Sequence, residues 1–66
     1  MDIKVNGEVR QVSEGLTITQ LLEQLAIENR NLAVEYNGDF VEEDALAATT
    51  LKAGDALEIV RFVGGG

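Results

Sequence analysis

The residues with the clearest chemical potential are the last four, Val63-Gly64-Gly65-Gly66. Three consecutive glycines have no side chain that could pack or catalyse, so the group that they present is the α-carboxylate of Gly66. Because glycine lacks a Cβ, such a run can pass through a slot too narrow for other residues. Fully extended, residues 63–66 span about 13 Å, which is enough to reach into a neighbouring protein. The carboxylate of Gly66 is therefore the candidate reactive group, and a frayed terminus is the alternative interpretation.

The run that leads into the glycines is apolar on both faces of a predicted strand. Leu57 and Ile59 alternate on one face. Ala56, Val60 and Phe62 alternate on the other. A central strand partly covered by its neighbours would give this pattern. We favour an exposed apolar patch that docks on the enzyme acting at the terminus, because the chain has no second long helix to cover that face. The predicted docking residues are Val60, Phe62 and Val63.

The composition argues against an independent enzyme. The chain has 66 residues and contains neither cysteine nor histidine. A chain this short buries only about 60% of its unfolded surface, so a deep active site is not expected. It also lacks the usual nucleophiles, general bases and transition-metal ligands. We therefore expect no metal and no bound cofactor, and a protein on which other enzymes act.

The charge and the hydrophobic pattern limit the partners and the location. Twelve acidic and five basic residues give a net charge of −7, which repels nucleic acid and anionic membranes. A basic docking face on a partner is one interpretation of this charge, and solubility is the other. No apolar run approaches the roughly 20 residues of a membrane span, and the N-terminus lacks a signal-peptide pattern. These features predict a cytoplasmic protein.

The first strand pair is predicted from Asn6-Gly7, a strong hairpin signal between two extended segments. A two-residue turn would place Val5 opposite Glu8. A three-residue loop would place Val5 opposite Val9. Pairing of apolar side chains favours the longer loop, so the pattern predicts that register.

The next segment has the features of a helix start. Thr17 is a good N-cap, Gln20 is spaced to complete a capping box, and Leu16 can pack against Leu21. The apolar positions that follow share one helical face and predict packing on a sheet. They are Ile18, Leu21, Leu22, Leu25 and Ala26.

The remaining elements are short. Glu42-Glu43-Asp44 precedes a predicted helical turn, where acidic side chains favour the positive end of the helix. The same cluster lacks the ligand spacing of a calcium loop. The predicted strands are residues 8–12, 32–36, 40–41 and 56–62, the helical turn is 45–48, and residues 52–55 form a turn.

The order of these elements resembles the ubiquitin-like β-grasp fold, and the whole chain is similar to the ThiS family of sulfur carriers of thiamin biosynthesis. The resemblance implies an α+β fold with a mixed sheet of four to five strands and one main helix on one face. It divides the chain into a β-grasp domain at 1–62 and a flexible tail at 63–66. The motifs that carry it are Ile3 to Gly7, Thr17-Ile18-Thr19-Gln20-Leu21-Leu22, Ala53-Gly54-Asp55 and the terminal diglycine.

The resemblance also implies a function. In the family, the C-terminal glycine, here Gly66, is adenylated with ATP and converted to a thiocarboxylate, from which thiazole synthase takes the sulfur. Gly65 is the other residue handled by the partners, and Gly64 would be the hinge, although many relatives have a different residue there. The implied partners are a ThiF-like adenylating enzyme, a ThiG-like thiazole synthase and a sulfur donor such as a cysteine desulfurase.

Three other functions remain open from the sequence. The small subunit of molybdopterin synthase shares the fold and the diglycine end, but such subunits are usually longer. A β-grasp interaction module that is never activated would use the glycines only as a frayed end. A ubiquitin-like modifier would form isopeptide bonds with target lysines.

Overall fold

The computed structural model describes residues 1–28 and 30–62, which form a mixed five-stranded sheet and one α-helix. The strand order is β2-β1-β5-β3-β4, with β1 and β5 parallel and the other neighbours antiparallel. This confirms the predicted β-grasp architecture. The elements are β1 Asp2–Val5, β2 Glu8–Gln11, α1 Ile18–Gln24, β3 Leu32–Tyr36, β4 Asp39–Val41, a 3₁₀ helix Glu43–Ala45 and β5 Ala56–Arg61.

The core lies between α1 and one face of the sheet. The apolar stripe of the helix is buried at Ile18, Leu21 and Leu22, as its spacing predicted. Alternate residues of the central strands are buried against it, so each strand turns its other residues outward. The sheet and loops contribute Ile3, Val5, Leu16, Val34, Leu46, Leu51, Leu57 and Ile59.

The register predicted for the first hairpin is wrong. Val5 lies opposite Glu8, so the connection is the two-residue turn Asn6-Gly7. Both turn residues have positive φ, which matches the right-handed twist of the flanking strands and outweighs apolar pairing. Val9 consequently lies opposite Lys4 on the outer face of the sheet and stays 62% exposed.

The start of α1 agrees with the prediction. The Thr17 hydroxyl accepts a hydrogen bond from the Gln20 N–H at 3.2 Å, and the Gln20 side chain accepts one from the Thr17 N–H at 2.9 Å. These reciprocal bonds form a capping box and satisfy two N–H groups at the helix start.

The end of α1 differs from the prediction, because Ala26 leaves the apolar stripe. Ala26 is exposed and has a φ of 57°, just after the helix ends. The Ile27 N–H donates to the Leu22 carbonyl at 2.9 Å, and the Ala26 N–H donates to the Glu23 carbonyl at 3.1 Å. This is a Schellman motif, which places residue 26 in the left-handed conformation and is usually built with glycine.

Other boundaries move by one to three residues, and the helical turn predicted at 45–48 is the 3₁₀ helix Glu43–Ala45. The second strand ends at Gln11 and the last at Arg61, one residue earlier than predicted in each case. The 3₁₀ helix begins at Glu43, so Glu43 and Asp44 lie in its first turn rather than before it. Within the described residues, no helix has the length and apolar character needed to cross a membrane.

We predict that Ala26→Gly raises the free energy of unfolding by about 0.5–1 kcal/mol, because glycine removes the Cβ strain of the left-handed conformation. Urea unfolding monitored by circular dichroism measures the change. The matched control is Ala48→Gly, since Ala48 is also exposed but has no positive φ, and glycine there should destabilise the fold. Equal destabilisation by both substitutions would contradict the assignment of strain to residue 26.

Candidate functional site

The predicted site falls into two parts, of which the structure describes one. Gly64, Gly65 and Gly66, together with the docking residue Val63, lie outside the described residues. The proposed division at residue 63 and the role of the terminal carboxylate therefore remain predictions. Val60 and Phe62 are described, and they lie at the end of the strand that leads to this segment.

Val60 and Phe62 lie on the face of the sheet opposite α1. Leu57 and Ile59 of β5 are buried under the helix, so the intervening residues face outward. Val60 is 52% exposed and Phe62 is 59% exposed. The Phe62 N–H donates to the Asn31 carbonyl at 2.7 Å. This bond extends the antiparallel pairing of β5 with β3 by one residue beyond the end of β5. The exposed apolar face predicted for this strand is confirmed.

Two further residues enlarge this surface, and the sequence did not identify them. Ala33 lies directly opposite Val60, and Phe40 on β4 lies opposite Glu35 of β3 on the same outer face. Phe40 is 65% exposed. The Asn37-Gly38 turn was a signal for this placement, since a two-residue turn fixes the register that turns Phe40 outward. We call Ala33, Phe40, Val60 and Phe62 the outer patch.

Two carboxylates lie within the outer face beside this patch. Glu35 lies directly opposite Glu58, and both side chains are exposed. Like charges in directly opposite positions destabilise a strand pair. Neither glutamate forms a salt bridge within residues 1–28 and 30–62. The outer patch is therefore apolar, and it adjoins two negatively charged side chains, Glu35 and Glu58, that are not paired with a cation in the described residues.

The start of β5 is held by Asp55, which the sequence placed only in a turn. Asp55 is 6% exposed, and it is the buried charged residue of the described core. Its carboxylate accepts hydrogen bonds from the Tyr36 hydroxyl at 2.6 Å, the Lys52 N–H at 2.7 Å and the Asn37 amide at 3.2 Å. These bonds tie the turn before β5 to the end of β3.

The same contacts shift two pKa values. Burial raises the pKa of Asp55, but the hydrogen bonds from Tyr36, Lys52 and Asn37 lower it by more, so the pKa lies below its ordinary value. The hydrogen bond to Asp55, burial and the charge of Asp55 raise the pKa of Tyr36. The network thus favours an ionised carboxylate beside a neutral phenol.

Four surface clefts of the part of the chain that the structure describes can be compared with the predicted docking residues Val60 and Phe62. One cleft of about 210 Å³ lies between β3, β4 and the 3₁₀ helix, and its lining includes Arg30, Phe40 and Glu43. Three others have volumes of about 310 to 540 Å³. Val60 and Phe62 line none of these four clefts. Val60 and Phe62 therefore offer exposed apolar area outside these four clefts, whereas Phe40, the other large side chain of the outer patch, borders the first cleft.

We predict that Asp55→Asn lowers the free energy of unfolding by about 2 kcal/mol near neutral pH, because the charged hydrogen bonds are lost. Since the folded pKa of Asp55 is depressed, its contribution is present above the unfolded pKa of about 4 and is lost as the pH falls through the folded pKa. The difference between wild type and Asp55→Asn should therefore shrink below about pH 4 in urea unfolding experiments.

The control for this prediction is Asp2→Asn, which removes one carboxylate from an exposed position on β1. It corrects for the general effect of changing the net charge. A wild-type advantage over Asp55→Asn that stayed constant down to about pH 2 would rule out ionised Asp55 as the cause.

Comparison with known proteins identifies the group to which these features belong. The profile of the ThiS family matches residues 3–66. A crystal structure described as thiamine biosynthesis protein (ThiS) from Geobacter metallireducens is similar with a TM-score of 0.85 and 42% identity, covering 100% of both chains.

Two curated relatives are longer proteins. A protein named thiazole synthase from Paramagnetospirillum magneticum is 41% identical over 66 residues, and one of the same name from Magnetococcus marinus is 36% identical over 66 residues. The match covers 100% of this chain in both cases. The chain spans 20% of the length of each of these relatives.

Proposed function

Because the chain belongs to the ThiS family, we propose that it is a sulfur carrier of thiamin biosynthesis, a protein co-substrate on which other enzymes act. The observation that carries this proposal is the exposure of Val60 and Phe62 at the end of β5, because the chain continues from Phe62 through Val63 to Gly64-Gly65-Gly66. A docking surface joined to a terminus without side chains is what a partner needs to reach the last carboxylate.

The proposed chemistry takes place at the carboxylate of Gly66. A carboxylate is a poor electrophile, and its attack on the α-phosphate of ATP gives an acyl-adenylate and releases pyrophosphate. Hydrosulfide then attacks the acyl carbon and displaces AMP, which leaves a thiocarboxylate. In this proposal ATP binds to the ThiF-like activating enzyme rather than to this chain. A cysteine desulfurase is the proposed source of the sulfur, and a thiol reductant, which is oxidised to a disulfide, releases the sulfur from its persulfide as hydrosulfide.

A ThiG-like thiazole synthase is the proposed acceptor of the sulfur. Two proteins named thiazole synthase contain a segment similar to this entire chain and about four times as much additional sequence. Joining a carrier to the enzyme that it serves keeps the two at high local concentration. This arrangement in relatives supports a thiazole synthase as a partner of the present chain.

The outer patch is the proposed docking surface for the activating enzyme. Val60, Phe62 and Phe40 provide exposed apolar area, and Glu35 and Glu58 provide negative charge. Interfaces with an apolar centre and complementary charge associate quickly and with the correct orientation. A partner with basic residues around an apolar centre would fit this surface.

We predict that the intact protein gains the mass of one sulfur in place of one oxygen when it is incubated with its activating enzyme, ATP and sodium sulfide. Fragmentation should place the change on Gly66. Omission of ATP is the control, because the acyl-adenylate cannot then form. Absence of the mass change, or an active native protein that extends beyond Gly66, would contradict the proposal.

We also predict that the double substitution Val60→Ser and Phe62→Ser raises the KM for the carrier in adenylation by about tenfold or more, since it removes the apolar centre of the interface. Pyrophosphate release measures the rate. The matched control is Val9→Ser. Val9 is a similarly exposed valine on the same face of the sheet, but it lies on β2, opposite Lys4 of β1 and outside the outer patch. An equal increase in KM for Val9→Ser would argue against the outer patch as the docking site.

A further inference from the structure

The central strand β5 is longer than its partner on one side. It runs from Ala56 to Arg61, but its pairing with β1 covers only Ala56 and Leu57. Beyond that point β1 has turned away into the first hairpin, although the Asn6 N–H still donates to the Leu57 carbonyl at 2.9 Å. The second half of β5 therefore needs another partner on this side.

The side chain of Asn6 supplies that partner. Its Oδ1 accepts a hydrogen bond from the Ile59 N–H at 2.7 Å, and its Nδ2 donates to the Ile59 carbonyl at 3.3 Å. One amide thus satisfies both backbone groups of Ile59, as a continuation of β1 by further residues would. The positive φ of Asn6 in the turn accompanies this arrangement. We call these two bonds the Asn6 clamp.

The other edge of β5 is held by β3 up to its end. The pairing continues from Ala33 and Val60 to the bond between the Phe62 N–H and the Asn31 carbonyl. The Asn6 clamp is therefore the contact that fixes β5 from the β1 side near its end. The clamp bonds Ile59, three residues before Phe62. It lies on the edge of β5 opposite the edge that bonds the Asn31 carbonyl.

We propose that Asn6 is a positioning residue for activation at Gly66, because its clamp fixes the direction in which β5 delivers the chain end to the partner. This inference rests on the proposed sulfur-carrier function. Asn6 does not belong to the outer patch, and no contact with the reacting atoms is required of it. The Asn6 clamp raises the fraction of docked complexes in which the Gly66 carboxylate is aligned with ATP.

A second asparagine makes a matched control. Asn37 occupies the same position in the second Asn-Gly turn, with a φ of 51° compared with 50° for Asn6. Its Oδ1 accepts a hydrogen bond from the Ala56 N–H at 2.8 Å, at the opposite end of β5. The two turns therefore hold the same strand, but only Asn6 does so near the chain terminus.

The test compares Asn6→Gly with Asn37→Gly in the full chain. Glycine accepts the positive φ of each turn, so the substitutions remove the side-chain bonds while retaining the turn. In Asn6→Gly, hydrogen exchange of the Ile59 amide should accelerate by roughly two- to tenfold, the effect of one lost hydrogen bond. Circular dichroism identifies a temperature at which all variants are folded. Asn6→Asp serves as a further variant at this position, because it keeps an acceptor oxygen for the Ile59 N–H and loses the amide donor.

Adenylation kinetics with the activating enzyme and ATP then provide the decisive readout. Asn6→Gly should lower kcat by about tenfold with little change in KM, because docking is preserved while alignment is lost. Asn6→Asp should give an intermediate kcat, and Asn37→Gly should keep the wild-type kcat. A wild-type kcat in Asn6→Gly, or an equal loss in Asn37→Gly, would overturn the positioning role. Failure of the wild-type protein to be adenylated would instead refute the proposed function.

Discussion

The constraint on which the structure depends is that a single short helix covers one face of a five-stranded sheet. Helix α1 has seven residues, and it packs on the face that carries Leu57 and Ile59. Burial of these side chains supplies most of the stabilisation available to so small a domain. No other described helix is long enough to cover the outer face, so Val60 and Phe62 stay exposed there. The arrangement that makes the core also leaves a surface free for a partner.

The central strand is held at its ends by polar side chains as well as by its neighbours. Asp55 and Asn37 fix the start of β5, and the amide of Asn6 fixes the backbone of Ile59. Hydrogen bonds to buried or shielded groups specify one arrangement because an unpaired group would be costly. In a domain with a small apolar core, these bonds define the register and the direction of β5, which ends at Arg61.

Local patterns in the sequence predicted the features that depend on adjacent residues. The capping box of Thr17 and Gln20 and the buried stripe of α1 follow from spacing along one segment. The exposure of Val60 and Phe62 was also predictable, since the chain has too few helical residues to cover both faces of the sheet. The β-grasp order of elements followed from the same local signals.

Features that depend on distant residues could not be read in this way. The hairpin register was missed because turn geometry, rather than pairing of Val5 with Val9, decides it. Asp55 resembles any turn aspartate until the fold brings Tyr36 and Asn37 to its carboxylate. Phe40 could be placed on the outer face only from the pairing of β3 with β4. The outer patch is thus assembled by long-range pairing, although half of its members lie in one continuous segment.

The pairing of Glu35 with Glu58 connects stability to the proposed docking. Two carboxylates in directly opposite positions repel each other in the free protein, and either could be replaced by a neutral residue without disturbing the core on the other face. A cation from a partner placed over this pair would turn the repulsion into attraction, and the adjoining apolar patch would exclude water and strengthen it. The charge that weakens the isolated sheet therefore favours a basic partner over an acidic one, which is how an interface gains specificity.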